Sequence, residues 1–213
     1  MTHRMLCLAL GSLTMVALLA APASAAPIVL GLDQEDFTNL GVVGPASALV
    51  VSGYNYNNTF TGQVISQAFE LNDGNYLYLY QADNYGPSVL EVFALSPFYG
   101  VDTNRAGYLT ANEPTGFLPT ATGLAPAGAS YDALLYPVVS YNYPSFMGAH
   151  VPPGQHTAGL YLVSPNAPTL GEGYVIDSGT AVVDVVIPTP EPAAASLMLI
   201  GGVAVLIRSR RKV

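Results

Sequence analysis

The sequence predicts an all-β protein, built as a single antiparallel β-sandwich whose strand pattern loosely resembles a jelly roll. Three observations predict it. Between residues 26 and 187 no stretch of ten or more residues has apolar positions at helical spacing. Short apolar or alternating runs recur instead, and turn residues lie at both ends of each run. The chain contains 21 Gly and 17 Pro. Runs of this kind are typical of strands in an all-β domain.

The clearest strand is predicted at residues 76–80, where Tyr and Leu alternate strictly. A period of two places Leu77 and Leu79 on one face of the strand and three tyrosines on the other. Residues 63–71 form the preceding strand. The intervening Asn-Asp-Gly-Asn at 72–75 is a turn sequence, so the two strands should form a hairpin.

Seven further runs complete a set of about nine predicted strands, at spacings typical of a sandwich. They are residues 48–51, 89–95, 106–110, 133–139, 157–163, 173–176 and 181–187. Residues 113–130 contain several Pro and Gly and little periodicity, which predicts a long surface loop. We therefore expect one ectodomain over residues 26–187.

The charge of this ectodomain is strongly acidic. Arg105 is its only basic residue, whereas it contains all of the chain's 14 acidic residues except Glu191. Such a surface repels a phosphate backbone, which excludes DNA and RNA as partners.

The first 25 residues have the composition of a secretory signal peptide: Arg4, an apolar run over 5–21, and small residues at Ala23 and Ala25. Cleavage should leave Ala26 as the first residue of the mature chain. A retained membrane anchor is the alternative. The single cysteine, Cys7, would leave with the peptide, so the mature chain would contain no disulfide.

The C-terminal end combines an apolar run with a basic tail. Residues 193–207 form 15 consecutive residues without a charge, and the cations Arg208, Arg210, Arg211 and Lys212 follow within 208–213. A helix of this length extends about 22 Å, less than the roughly 30 Å hydrocarbon core. The basic flank nevertheless favours a transmembrane helix that ends on the cytoplasmic side. The alternative is an amphipathic or buried C-terminal helix.

Directly before the apolar run stands Pro190-Glu191-Pro192. With the apolar helix and the basic tail, residues 188–213 resemble a PEP-CTERM sorting signal. The resemblance implies export in a Gram-negative bacterium that makes exopolysaccharide, transient retention in the membrane and processing by an exosortase. It covers only this terminal segment and implies no chemistry for the ectodomain. A stiff linker is the alternative interpretation of the prolines.

The chain contains 14 tyrosines, several of them spaced by two, as in Tyr54 and Tyr56 or Tyr141 and Tyr143. Tyrosine forms strands well and tolerates a half-exposed sheet face, and this is the interpretation that we favour. The alternative is a row of rings that stack on sugars.

Candidate catalytic groups are few. Asp177-Ser178-Gly179-Thr180 after apolar residues resembles the catalytic loop of aspartic proteases, which need two such carboxylates. No second copy is present, and Asp-Ser-Gly is also ordinary turn chemistry. Glu70 and Glu91 would have to face each other across a cleft to act as a glycosidase pair. The sequence indicates no enzymatic activity and no cofactor.

Candidate metal ligands are equally weak. His150 and His156 need a carboxylate to complete a zinc or copper site, and the Pro-Pro-Gly between them more simply marks a loop. Carboxylate clusters in turns are chemically reasonable calcium ligands. The calcium candidates are Asp33, Glu35, Asp36, Asp73 and Asp83. None matches the twelve-residue calcium-loop pattern, so solvated turns are favoured.

These observations predict an exported surface or matrix protein with a structural or adhesive role and the exosortase as a transient partner. Exopolysaccharide or other surface proteins are the further expected partners. The first alternative is a carbohydrate-binding module, and the second is a polysaccharide hydrolase.

Overall fold

The described part of the chain is built almost entirely of strands. The computed structural model describes residues 26–133, 137–144, 148, 150–177 and 179–189. Two short 3-10 turns, at Phe37–Asn39 and Thr120–Thr122, are the helical segments among these residues, so the all-β prediction is confirmed. The strands are β1 (Ile28–Leu30), β2 (Asp33–Asp36), β3 (Val42–Pro45), β4 (Val50–Tyr56), β5 (Phe60–Leu71), β6 (Tyr76–Asn84), β7 (Val92–Leu95), β8 (Ala106–Ala111), β9 (Gly128–Asp132), β10 (Val138–Asn142), β11 (Gln155–His156), β12 (Leu160–Ser164), β13 (Pro168–Ile176) and β14 (Thr180–Pro188).

The strands form two sheets. The six-stranded sheet has the order β1-β9-β10-β7-β13-β14. The eight-stranded sheet has the order β2-β8-β12-β6-β5-β3, with β4 also paired to β5 and β11 to β6. The expectation of a purely antiparallel arrangement is wrong at one edge, because β2 runs parallel to β8. The long connection between these two strands makes the parallel pairing possible.

The predicted hairpin at the centre of the larger sheet is confirmed. Strands β5 and β6 pair antiparallel from Gly62 opposite Asn84 to Glu70 opposite Tyr76. The turn between them places Gly74 at a φ of 82°, a conformation that glycine adopts without strain.

Both faces of this hairpin are buried, and each contacts a separate apolar cluster. Tyr78 and Tyr80 belong to a first cluster that the two sheets share with Phe93 and Val185. Leu77 and Leu79 point the other way, into a second cluster on the outer face of the larger sheet. The predicted alternation of Tyr and Leu is therefore correct. The larger sheet is covered on both sides near its centre.

Several tyrosines do not lie on the half-exposed sheet face that the sequence predicts. Tyr78, Tyr80, Tyr141 and Tyr143 are fully buried, so this interpretation is wrong for them. Three of the four donate to backbone carbonyls that belong to other parts of the fold. The bonds are Tyr78 Oη to Asn166 O at 2.5 Å, Tyr80 Oη to Val186 O at 2.6 Å and Tyr141 Oη to Tyr161 O at 2.8 Å. The last two join one sheet to the other. These three rings can be buried because each hydroxyl finds an acceptor.

Several strand bounds differ from the prediction. Five strands, β1, β2, β3, β9 and β11, were not predicted because they are short or polar. The run predicted at 133–139 is displaced to β10, and residues 134–136 lie outside the described part. The runs predicted at 48–51, 89–95 and 157–163 begin two or three residues later as β4, β7 and β12.

The predicted surface loop at 113–130 is instead partly packed against the larger sheet. Phe117 and Thr120 are buried, and β9 already begins at Gly128. Gln81 on β6 attaches the segment: its Oε1 accepts from Leu118 N at 2.7 Å, and its Nε2 donates to Leu118 O at 3.1 Å. Pro and Gly content alone does not reveal such a side-chain anchor.

Candidate functional site

The most distinctive polar site is a pocket at the β2 edge of the larger sheet. Its volume is about 170 Å³. Asp33, Glu35, Asn39 and Arg105 supply its polar lining, together with Tyr161. Leu40 and Val163 supply an apolar part. The pocket therefore combines two carboxylates and a guanidinium with a small hydrophobic surface.

Strand β2 positions the two carboxylates. It pairs in parallel with β8, so that Asp33 lies opposite Gly107 and Glu35 lies opposite Leu109. Because successive side chains of a strand alternate between faces, Asp33 and Glu35 project from the same face. The sequence suggested an acidic turn at this place, whereas the structure shows a charged edge strand.

Tyr161 on β12 reaches the pocket from the neighbouring core. The residue is 2% exposed, and its ring belongs to the second apolar cluster. Among the described residues, no hydrogen-bond partner of its hydroxyl is found. Burial raises the pKa of Tyr161 far above its ordinary value, and the nearby charges of Asp33 and Glu35 raise it further, while Arg105 opposes them. The hydroxyl thus lies within the field of all three charged groups.

Arg105 is held at the pocket by a carboxylate from the β5–β6 turn. Its Nη1 forms an ion pair with Asp73 Oδ2. The backbone N–H of Asn75 also donates to Asp73, at 3.0 Å. The Asn75 hydrogen bonds are the main reason why the pKa of Asp73 falls to about 2, and Arg105 contributes less. The turn therefore fixes Asp73, and Asp73 in turn orients the guanidinium.

The predicted calcium candidates are only partly brought together. Asp33 and Glu35 share the pocket, but Asp73 is paired with Arg105 and Asp83 lies on β6, mostly buried. Asp36 accepts hydrogen bonds from Thr38 N at 2.9 Å and from Asn112 Nδ2 at 2.7 Å. In the described ranges no group of three or more His, Cys, Asp or Glu side chains is placed to hold a metal ion.

The two histidines do not form such a group either. The Nδ1 of His156 lies 2.9 Å from Thr157 O and its Nε2 lies 3.1 Å from Thr122 Oγ1. Both ring nitrogens are thus occupied by the protein's own hydrogen bonds. His150 is half-buried in the segment that follows the described residue Gly148.

The motif at 177–180 forms the turn between β13 and β14. Ile176 pairs with Thr180, and Asp177 N donates to Gly179 O at 3.0 Å. This agrees with the hairpin interpretation. The Ser88 hydroxyl donates to a carboxylate oxygen of Asp177, while Ser178 lies outside the described residues.

Glu70 and Glu91 are not paired by the fold. Glu70 lies on β5 of the larger sheet, opposite Tyr76. Glu91 precedes β7 of the smaller sheet, where its backbone N–H donates to Ile176 O at 3.1 Å. The described contacts therefore give these two acids no shared cleft.

The sorting and processing residues fall mostly outside the described part. Of the predicted cleavage site only Ala26 is described, and residues 190–213 with Pro190, Glu191, Pro192 and the basic tail are not. Within the described residues, no helix has the length and apolar character to cross a membrane.

Comparison with known proteins gives no relative from which a function could be transferred. No protein-family model, curated protein or solved structure matches this chain.

Sequence reasoning missed three polar residues of the pocket: Asn39, Arg105 and Tyr161. One signal was available, because Arg105 is the only cation of an otherwise acidic ectodomain. A lone cation in such surroundings is expected to pair with carboxylates.

Gly107 is required for the shape of this pocket, and its replacement gives a direct test. A Cβ at Gly107 would lie 2.1 Å from Asp33 O and 2.8 Å from Tyr161 Oη. We expect Gly107→Ala to push β2 away from β8 and to lower the free energy of unfolding by about 1–3 kcal/mol. Thermal unfolding followed by circular dichroism measures this loss.

Gly31→Ala is the matched control, because a Cβ at Gly31 meets nothing within 4 Å. Equal melting temperatures for the Gly107→Ala and Gly31→Ala proteins would contradict the close approach of β2, β8 and Tyr161.

Proposed function

We propose that this chain is an exported, non-enzymatic protein of the cell surface or of the extracellular polysaccharide matrix, with a structural or adhesive role. One observation carries the proposal: Pro190-Glu191-Pro192, a 15-residue apolar run and a basic tail occur in this order at the C-terminal end. An exosortase of a Gram-negative bacterium is the proposed processing enzyme. The chain is held in the membrane until that step and is then released to the surface or the medium.

The β-rich ectodomain supports this role. It supplies buried apolar surface on both faces of the larger sheet, and its mature form, as proposed, has no cysteine. A domain without cysteine needs no disulfide formation to remain folded outside the cell. We propose that it is a β-sandwich; the jelly-roll likeness stays a prediction.

Processing can be tested by intact-mass measurement. In a strain with a working exosortase, we expect secreted protein that begins at Ala26 and lacks residues 193–213. Glu191→Ala should leave unprocessed chain in the membrane fraction, since the proline-flanked acid is the proposed recognition element. Glu172→Ala, which removes an exposed acid of β13, is the control and should be processed normally. Secreted protein that retains residues 193–213 would refute the sorting proposal.

Carbohydrate binding is the second candidate function, and the β2 pocket favours it. The tyrosine-lined groove expected for this alternative gains no support, because Tyr78, Tyr80, Tyr141 and Tyr143 are buried. The pocket instead offers charged and polar groups beside an apolar surface. The hydrolase alternative has no comparable observation in its favour.

A further inference from the structure

We propose that the pocket formed by Asp33, Glu35, Arg105 and Tyr161 binds one ring of a neutral saccharide through neighbouring hydroxyl groups. The inference deepens the second candidate function, carbohydrate binding, and rests on it. It assigns the ligand class and the role of each side chain. Asp33 and Glu35 accept hydrogen bonds from ligand hydroxyls, and Arg105 and Tyr161 donate to ligand oxygens.

The Tyr161 hydroxyl is the observation that points to a ligand. The residue is 2% exposed and lines the pocket, and its hydroxyl has no hydrogen-bond partner among the described residues. By contrast, the fully buried Tyr78, Tyr80 and Tyr141 each donate to a backbone carbonyl. The Tyr161 hydroxyl therefore faces the pocket, where a group from outside can complete its hydrogen bonding.

The mixture of charges selects hydroxyl groups over ions. A carboxylate only accepts hydrogen bonds and a guanidinium only donates them, whereas a hydroxyl does both. A sugar with adjacent hydroxyls can therefore satisfy Asp33, Glu35 and Arg105 at the same time. Arg105 weakens the attraction that Asp33 and Glu35 would exert on an amine or other cation. An acidic sugar would be repelled by the two carboxylates and by the acidic ectodomain.

Calcium fits the pocket less well than a sugar. Calcium takes six to eight oxygen ligands, and this pocket supplies two carboxylates with a guanidinium beside them. The Asp73 carboxylate is engaged by Arg105.

Size and apolar surface fit a single ring. A volume of about 170 Å³ lies below the roughly 300–1,000 Å³ of pockets for larger ligands. Leu40 and Val163 provide an apolar patch on which the C–H groups of a sugar ring can pack. A chain end or side branch of a polysaccharide would present such a ring.

The test measures binding of the methyl glycosides of glucose, galactose and mannose to the full chain, in a detergent without a sugar headgroup. Saturation-transfer NMR detects binding in the millimolar range. We expect transfer to at least one glycoside, and a dissociation constant about tenfold higher for Tyr161→Phe, which keeps the ring but removes the hydroxyl. Asp33→Asn, an exposed and isosteric change, should weaken binding similarly and covers the case in which Tyr161→Phe fails to fold.

Asp36→Asn is the matched control, because it removes one charge from the same strand but lies outside the pocket lining. It should bind as the unaltered chain does. Three results would overturn the inference: no transfer to any of the glycosides, transfer that Tyr161→Phe and Asp33→Asn leave unchanged, or calcium binding at this pocket without sugar binding.

Failure of this inference is distinguishable from failure of the proposed sorting. A chain that binds a glycoside but is not shortened in the exosortase strain retains the saccharide site and loses the sorting proposal. A chain that is processed but binds no glycoside gives the reverse result.

Discussion

Replacing Tyr80 by Ala should lower the free energy of unfolding by about 3–5 kcal/mol, the range for loss of a large buried side chain. Tyr80 is fully buried between the sheets, with its ring centroid 5.8 Å from that of Phe93. Its hydroxyl donates to Val186 O on β14. The substitution therefore removes both apolar contacts and a hydrogen bond that joins the two sheets.

Two side chains of the larger sheet together satisfy the backbone of Val186. Tyr80 Oη donates to its carbonyl at 2.6 Å, and its N–H donates to Ser66 Oγ at 3.1 Å. Ser66 and Tyr80 are themselves register partners on β5 and β6. This edge of the smaller sheet is thus docked onto the larger one by paired polar side chains inside an apolar core.

Tyr80→Phe separates the hydrogen bond from the packing. It should cost about 1–3 kcal/mol, because the Val186 carbonyl then loses its buried partner. Urea unfolding followed by tyrosine fluorescence measures both variants, since the chain contains no tryptophan. Tyr85→Phe is the control, as Tyr85 is 57% exposed and should be nearly neutral. If Tyr80→Phe were as stable as the unaltered chain, the proposed docking role of the hydroxyl would be wrong.

The strands that the sequence predicted best are those whose signal is local. Alternation over residues 76–80 and the turn at 72–75 are set by neighbours in the chain, and both are observed. Strand β2 was missed because its Asp-Gln-Glu-Asp sequence has no apolar alternation. It forms only because β8, more than 60 residues later, offers it an edge.

The burial of the tyrosines was mispredicted for a related reason. A tyrosine favours a half-exposed face only while its hydroxyl has no partner inside the protein. For Tyr80 and Tyr141 that partner is a carbonyl of the opposite sheet, 106 and 20 residues away along the chain. Pairing across sheets depends on strand order, which single-sequence patterns do not specify.

For the same reason, only part of the pocket could be predicted from the sequence. Asp33 and Glu35 were singled out as acids, but their joining with Arg105 and Tyr161 depends on β2, β8 and β12 lying side by side. Tyr161 carries no local signal at all, because its alternation resembles that of any core strand.

Alkaline pH should unfold the protein steeply, because its tyrosines must remain protonated in the core. Burial raises the pKa of Tyr80, Tyr141 and Tyr143 well above the ordinary value of about 10. The unfolded chain loses these protons near pH 10 while the folded chain keeps them. Stability is therefore fully present below about pH 10 and falls as the pH rises further.

The loss of stability should be large. Each tyrosine that stays protonated only in the folded state lowers the free energy of unfolding by about 1.4 kcal/mol per pH unit above pH 10. Tyr80, Tyr141 and Tyr143 together should lower the free energy of unfolding by about 4 kcal/mol per pH unit above pH 10. Circular dichroism should report loss of β structure at the pH at which phenolate absorbance rises cooperatively. Tyr80→Phe should reduce the slope by about 1.4 kcal/mol per pH unit, the contribution of one tyrosine, although this variant starts from a lower stability at neutral pH. Gradual ionisation of all tyrosines while the β spectrum stays intact would show that these rings are accessible to water, contrary to the packed core between the two sheets.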